Sequence, residues 1–152
     1  MNLTGTYTFD GPRESVWAML QDPTVLARIL PGTKSLEQSG PDSYQGVMKV
    51  SIGPMTAAEF NVRVELKDKV PPSSFSLQID GKGAVGFTNG TATIQLDEQP
   101  GPTTVMQYNS DVRIGGRIAS VGQRLLDSVG KMMTKQALDS LNHELHERLK
   151  NK

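Results

Sequence analysis

The sequence predicts an α+β fold, in which a curved antiparallel sheet of six to seven strands wraps around a long C-terminal helix. Residues 3–9 and about 33–114 alternate apolar and polar side chains, which is the period of half-buried strands. Two short segments with helical spacing follow the first strand, and a longer one begins near residue 118. An apolar sheet face packed on an amphipathic helix satisfies all of these segments within one domain of 152 residues.

The first strand and the two short helices are marked by turn and capping residues. Leu3, Gly5, Tyr7 and Phe9 share one face of the strand, and threonines occupy the other. Pro12 fits the first turn of one helix, because that turn has no use for the missing N–H. Asp22-Pro23 begins the second helix in the same way, with the carboxylate capping free amides, and Pro31-Gly32 ends it.

The middle of the chain is predicted to form connected antiparallel strands with one wet face. In AEFNVRVELKDK, for example, Phe60, Val62, Val64 and Leu66 alternate with polar residues. Turn signals separate the strand segments at Gly40-Pro41-Asp42, Gly53-Pro54, Pro71-Pro72 and Pro100-Gly101-Pro102.

The last segment is predicted to be one amphipathic helix. Its apolar residues recur at helical spacing: Ile118, Val121, Leu125, Val129, Met132, Met133, Leu138, Leu141 and Leu145. Thirty helical residues span about 45 Å, more than a small sheet covers. We therefore expect residues 142–152 to form an overhanging or frayed end. Gly122 and Gly130 lower helix propensity, which indicates close packing or space for a ligand.

The segment VWAMLQDPTVLARILPG resembles the D-P-x-x-L-x-x-x-x-P-G signature of the carbon monoxide dehydrogenase G-subunit family. Asp22, Pro23, Leu26, Pro31 and Gly32 match it position by position. MKVSIGPMTAAEFNVRVEL, GKGAVGFTNGTATI and GRIASVGQRLLDSV resemble later segments of the family, so the likeness covers residues 1 to about 140. That family belongs to the START-like (SRPBCC) superfamily of polyketide cyclases and lipid-transport proteins, whose helix-grip fold is the architecture predicted above.

The resemblance implies a domain that holds a hydrophobic small molecule, such as a lipid, a quinone or a fatty acid, and serves a molybdenum hydroxylase. The resemblance implies that the domain serves this enzyme through peripheral membrane contact or by delivering a hydrophobic cofactor. The helix-grip fold further implies a cavity between sheet and helix, which methionines suit because they adapt to irregular apolar ligands. The predicted lining comprises Leu26, Leu30, Phe60, Phe75, Met106, Tyr108, Ile118, Val121, Leu125, Met132 and Met133.

The amino-acid composition limits the kinds of partner and of functional site that the protein can have. Sixteen basic residues balance sixteen acidic ones, so no basic excess favours nucleic acid. The absence of cysteine excludes disulfides, thiolate metal sites and cysteine nucleophiles. No segment approaches the roughly 18 apolar residues of a membrane span, and the N-terminus does not resemble a signal peptide. We expect a cytoplasmic protein, at most peripheral to the inner face of the membrane.

Two motifs suggest other chemistry. Gly81, Gly83 and Gly86 spell the G-x-G-x-x-G of a nucleotide-binding loop, but the alternating residues 87–96 predict a strand where a phosphate-binding helix should begin. A bulged or bent strand connection is the favoured interpretation. His143 and His146 are spaced i, i+3 rather than as in H-E-x-x-H, which favours a solvated helix face over a metal site.

The predicted interior is poor in catalytic groups. Both histidines fall outside it, and Tyr44, Tyr108 and Ser110 are its main polar side chains. The scarcity of catalytic groups favours a protein that binds a ligand over an enzyme that transforms it. We therefore assign no catalytic residue and predict no tightly bound cofactor. Two alternatives stay open: a cyclase or hydrolase that uses Tyr44 or Tyr108 as an acid, and an assembly factor that acts through the exposed faces of the long helix.

Overall fold

The computed structural model describes residues 1–151 and confirms the predicted fold class. In chain order the elements are β1 (Asn2–Phe9), α1 (Arg13–Leu20), α2 (Pro23–Ile29), β2 (Thr33–Gly40), β3 (Ser43–Ile52), β4 (Met55–Val70), β5 (Ser74–Gly83), β6 (Gly86–Gln99), β7 (Thr103–Gly115), a short 3₁₀ helix (Arg117–Val121) and α3 (Gln123–Lys150). The seven strands form one antiparallel sheet in the order β1-β7-β6-β5-β4-β3-β2.

The predicted start and end of α2 are confirmed. The Asp22 carboxylate accepts a hydrogen bond from the backbone N–H of Thr24 at 2.9 Å, and Pro23 is the first helical residue. After the helix, Gly32 has a φ of +79°, and a Cβ there would lie 2.2 Å from the Lys49 carbonyl oxygen. Glycine is therefore required where the chain turns from α2 into β2.

Alternation gives the sheet an inner face, which is turned towards α3, and an outer face. Cross-strand pairs on the inner face join Phe75 to Ile94 and Leu96 to Met106. The outer face is polar and exposed, with Thr4, Thr93 and Gln107 as examples. The polar positions of the alternating sequence therefore form the wet side of the sheet.

Buried apolar side chains form three clusters. The first cluster joins α1, α2 and the C-terminal half of α3 to the sheet, with Phe9, Val16, Met19, Leu141 and Leu145 among its members. The second lies where the β3–β4 hairpin meets the 3₁₀ helix and the start of α3; it contains Ile52, Ala58, Phe60, Ile118 and Leu126. The third contains Tyr44, Leu66 and Phe75.

The last predicted helix is interrupted. Gly122 has a φ of +101°, and it separates the 3₁₀ helix from α3. L-residues with a side chain rarely adopt that conformation, so Gly122 is explained by the break rather than by ligand space. Gly130 is explained by close packing, because a Cβ there would lie 3.2 Å from the Leu3 side chain.

The structure contradicts the overhanging or frayed helix end expected at residues 142–152. α3 continues through Lys150, and Leu145 is fully buried. Asn142 and His146 hydrogen-bond to Asp10, and Glu144 forms an ion pair with Arg28. The helix is not too long, because α1 and α2 extend the surface that it covers. Lys152 lies outside the described residues.

The glycine motif forms a β-hairpin, and no helix follows it. Gly83 pairs with Gly86 across the turn between β5 and β6. A Cβ on Gly83 would lie 2.1 Å from the carbonyl oxygen of Glu59, so the neighbouring backbone approaches too closely for a side chain. The nucleotide-loop interpretation therefore fails at this site, and the strand connection is confirmed.

Candidate functional site

The centre of the inner face is apolar and incompletely covered. Five side chains on β4, β5 and β6 there are only half-buried, although they point towards α3: Val62, Val64, Leu77, Ile79 and Ala92. The clusters around them are almost fully buried, with Leu96 at 0% exposure. These half-buried side chains are apolar surface that the chain's own side chains cover incompletely.

The helix leaves the same region open from its side. Between Leu126, which is buried in the second cluster, and Leu141, which is buried in the first, the half-buried Met133 and Ala137 belong to neither. The helix is therefore held against the sheet at its two ends. We call the space between them the central cavity.

Eight of the predicted lining residues belong to the buried clusters or pack against them. Phe60, Phe75, Met106 and Ile118 are each at most 7% exposed and belong to the clusters. Leu26 and Leu30 pack against the first cluster, whereas Val121 and Leu125 pack against the second. These eight residues share the interior but are spread over both ends of it.

The other three predicted residues have different surroundings. Met133 is half-buried, whereas Met132 is 51% exposed and does not converge with the rest. Tyr108 packs on the first cluster, and its phenol lies across β1. A Cβ on Gly5 would lie 2.6 Å from the Tyr108 hydroxyl oxygen, so the ring occupies space that any other residue would restrict.

An opening of about 520 Å³ lies between β1 and α3, and we call it the β1–α3 groove. Its lining combines apolar and aromatic side chains with polar ones; the first are Leu3, Tyr7, Tyr108 and Leu138, and the second are Asn2, Thr4, Thr6, Lys131, Thr134 and Lys135. Tyr108 belongs to both the groove and the inner face. At β1, the groove is therefore the place where the inner face of the sheet meets solvent.

A hydrogen-bonded triad borders the groove. The Tyr7 hydroxyl donates to Asp139 at 2.7 Å, and Lys135 forms an ion pair with the same carboxylate at 2.7 Å. Burial, together with the Asp139 carboxylate, raises the pKa of Tyr7 to about 12. Hydrogen bonds from Lys135 and Tyr7 hold the pKa of Asp139 below its ordinary value. The Tyr7 phenol therefore stays protonated at neutral pH, and its hydroxyl is already used in the hydrogen bond to Asp139.

The two tyrosines proposed as acids differ in availability. Tyr44 is 3% exposed and donates to the Gln21 carbonyl at 3.2 Å, and burial raises its pKa. The Tyr108 hydroxyl forms no hydrogen bond within residues 1–151 and faces the groove. Only Tyr108 has a hydroxyl free to meet a ligand.

Three side chains that the sequence analysis did not single out contain buried polar atoms. Arg13 Nε, both side-chain amide atoms of Gln21 and the hydroxyl of Thr33 are buried without a hydrogen-bond partner in the described part of the chain. Such groups carry a desolvation cost of about 1–3 kcal/mol when nothing pairs with them. No periodicity or motif in the sequence distinguishes them.

A larger groove, of about 590 Å³, crosses the outer face of the sheet. Its outward side chains are polar: Thr4, Thr6, Asp68, Ser74, Ser76, Thr93, Gln95, Gln107 and Asn109. Its lining includes none of the five half-buried apolar side chains at the centre of the inner face. The inner face is the better candidate despite the size of the outer groove.

Within residues 1–151, no group of three histidine or carboxylate side chains is arranged to hold a metal ion. His146 instead contacts Asp10 at 2.9 Å, and hydrogen bonds from Asn142 and His146 hold the pKa of the Asp10 carboxyl below its ordinary value.

Among residues 1–151, no helix is both long enough and apolar enough to cross a bilayer.

Comparison with known proteins agrees with the fold and the motifs. The sequence model of the carbon monoxide dehydrogenase G subunit (CoxG) matches residues 5–146. A conserved protein from Geobacillus kaustophilus is 29% identical, with a TM-score of 0.92 over 97% of this chain and 96% of its own. No curated protein sequence matches.

More distant structures share the fold alone. A START superfamily protein from Mycobacterium smegmatis has a TM-score of 0.73 at 10% identity, over 96% of this chain and 97% of its own. The Zhui aromatase/cyclase from Streptomyces sp. R1128 has a TM-score of 0.70 at 15% identity, over 98% and 95%. With a START-like fold and a family match across most of its length, the chain belongs to the carbon monoxide dehydrogenase G-subunit (CoxG) family.

Proposed function

We propose that the protein is a non-catalytic binder or carrier of a hydrophobic small molecule, lipid-like or quinone-like, and an accessory to a molybdenum hydroxylase of the carbon monoxide dehydrogenase type. The observation that supports the binding role is the incomplete burial of Val64, Leu77 and Ala92 on the inner face of the sheet. The family match supports the accessory role.

Binding has a direct physical rationale at this place. Covering apolar surface that is still accessible to water contributes about 25 cal/mol per Å². A ligand that fills the cavity would therefore complete a core that the chain leaves unfinished. The half-buried Met133 offers an adaptable thioether surface to such a ligand.

A pair of matched substitutions on β6 tests the binding role. Ala92 points to the inner face, whereas Thr93 is exposed on the outer face of the same strand. Ala92→Phe should fill the cavity and reduce binding of an extracted lipid or a quinone at least about tenfold, with little loss of stability. Thr93→Phe adds a ring to the same strand and should leave binding unchanged.

Native mass spectrometry of freshly purified protein, followed by organic extraction, identifies the ligand for that comparison. If the space is instead a filled core, Ala92→Phe overpacks it and lowers the free energy of unfolding by about 1–3 kcal/mol. That loss, together with the absence of any extractable or added apolar ligand, would contradict the proposal. Co-purification with the molybdenum hydroxylase tests the accessory role separately.

An enzyme of the cyclase or hydrolase class is the second candidate, favoured by the free Tyr108 hydroxyl at the groove. Tyr108→Phe removes that hydroxyl and keeps the ring. Loss of turnover with unchanged ligand binding would favour this candidate over a carrier. In a carrier, the same substitution changes affinity alone.

A further inference from the structure

We infer, on the basis of the function proposed above, that the ligand is an amphiphile whose head is anionic. Its apolar chain lies in the central cavity, and its head lies in the β1–α3 groove between Lys131 and the Tyr108 hydroxyl. The presence of Lys131, Tyr108 and apolar side chains in one groove points to this arrangement.

The first support is the charge of the groove. Lys131 and Lys135 lie one helical turn apart on the same side of α3. Like charges at i, i+4 destabilise a helix by a few tenths of a kcal/mol. Lys135 is compensated by Asp139 at 2.7 Å, but Lys131 forms no ion pair with any residue of the described chain.

The acid one turn before Lys131 does not compensate it. The Asp127 carboxylate accepts a hydrogen bond from Gln123 at 2.8 Å and lies beyond ion-pair distance of Lys131. Lys131 and Lys135 are the charged side chains that line the groove, and among the described residues only Lys135 forms an ion pair. An anionic head would neutralise Lys131.

The second support is the free phenol on the inner side. Tyr108 lies across β1 because Gly5 has no side chain, and its hydroxyl has no partner within residues 1–151. A phenol donates well to a carboxylate, because a hydrogen bond to a charged acceptor is stronger than one to a neutral acceptor. The neighbouring tyrosine cannot take this role, because the Tyr7 hydroxyl already donates to Asp139.

The third support is the continuity of apolar surface behind the head. Tyr108 pairs across the sheet with Ile94, and Ala92 follows on the same face of β6. On the helix, Leu138 borders the groove and packs on the first cluster. A chain entering past Tyr108 would therefore meet apolar side chains along its length.

Isothermal titration with laurate below its critical micelle concentration, and with 1-dodecanol below its solubility limit, separates the contribution of the head from that of the chain. Laurate should bind the wild-type protein at least about tenfold more tightly than 1-dodecanol, which has the same chain and a neutral head. Lys131→Gln should weaken laurate about threefold to fivefold, as expected of an exposed charge. Tyr108→Phe should weaken it about tenfold. Neither substitution should change the affinity for 1-dodecanol.

Lys82→Gln is the matched control, because Lys82 is exposed on β5 away from the groove. It should leave both affinities unchanged. Gly5→Ala is a second variant, since its Cβ would meet only the movable end of the Tyr108 ring, and it should reproduce the Tyr108→Phe effect by displacing the hydroxyl.

Equal affinities for the two amphiphiles, or an unchanged laurate affinity in both Lys131→Gln and Tyr108→Phe, would overturn the assignment of the head. If neither amphiphile binds but a neutral lipid or a quinone is extracted from the purified protein, the anionic head is wrong and the carrier function stands. If nothing is extracted and no apolar molecule binds, both proposals fall.

Discussion

Replacing Leu145 by alanine should lower the free energy of unfolding by about 3 kcal/mol. Leu145 is 0% exposed, and its side chain lies so close to Gly11 that a Cβ there would be 2.9 Å away. Three carbon atoms are lost, each worth about 0.8 kcal/mol on burial, and the remaining cavity adds to that cost. The site cannot collapse easily, because α1 and α2 pack around it.

Urea denaturation followed by the fluorescence of Trp17 measures this change. Trp17 is the single tryptophan, and its ring lies 5.4 Å from that of Phe75 in an edge-on contact. The melting temperature should fall by about 6–12 °C for a chain of this size. Met132→Ala is the control, because Met132 lies on the same helix but is 51% exposed, and it should cost less than about 0.5 kcal/mol. A loss below about 1 kcal/mol in Leu145→Ala would refute the docking of the helix end and would restore the frayed end expected from the sequence.

Three further outcomes follow from the structure. Gly83→Ala should destabilise the protein by at least about 2 kcal/mol in the same urea assay, because its Cβ would lie 2.1 Å from the backbone oxygen of Glu59; a neutral effect would contradict the close approach of β4 and β5. Ultraviolet titration should show one tyrosine ionising near pH 12, and Tyr7→Phe should remove that step, since burial and Asp139 disfavour the phenolate. Because the folded-state pKa of Asp10 is lowered from 3.8, its stabilisation is present above that pH and is lost below it. Asp10→Asn should therefore be less stable than the wild type at neutral pH, and the difference should shrink as the pH falls below 3.8; a difference that does not shrink in acid would refute this account.

Local signals in the sequence were sufficient for most of the architecture. Alternation in AEFNVRVELKDK predicted which side chains of β4 face inwards, because a strand has no other way to separate its two faces. Asp22-Pro23 predicted the start of α2, since capping depends on groups within three residues of each other.

Signals that depend on distant contacts were interpreted less well. A glycine at position 122 is compatible both with close packing inside a helix and with a break between two helices. Only its φ of +101° distinguishes the two. The end of α3 was expected to be free, because the sequence does not reveal that α1 and α2 lie beneath it. Lys131 was not singled out from the sequence, since only the fold brings it to the same groove as Tyr108.

The sequence by itself determined the order and the faces of the elements and the family of the protein, because hydrophobic period, caps and motif spacing are all local in the chain. Only the tertiary structure decided which apolar residues fill the core and which border an open space. Phe60 and Ala92 both lie on the inner face, yet Phe60 is packed in a cluster and Ala92 is left half-buried. That difference depends on how closely α3 approaches each part of the sheet, and the approach is fixed by the clusters at its two ends rather than by any single segment.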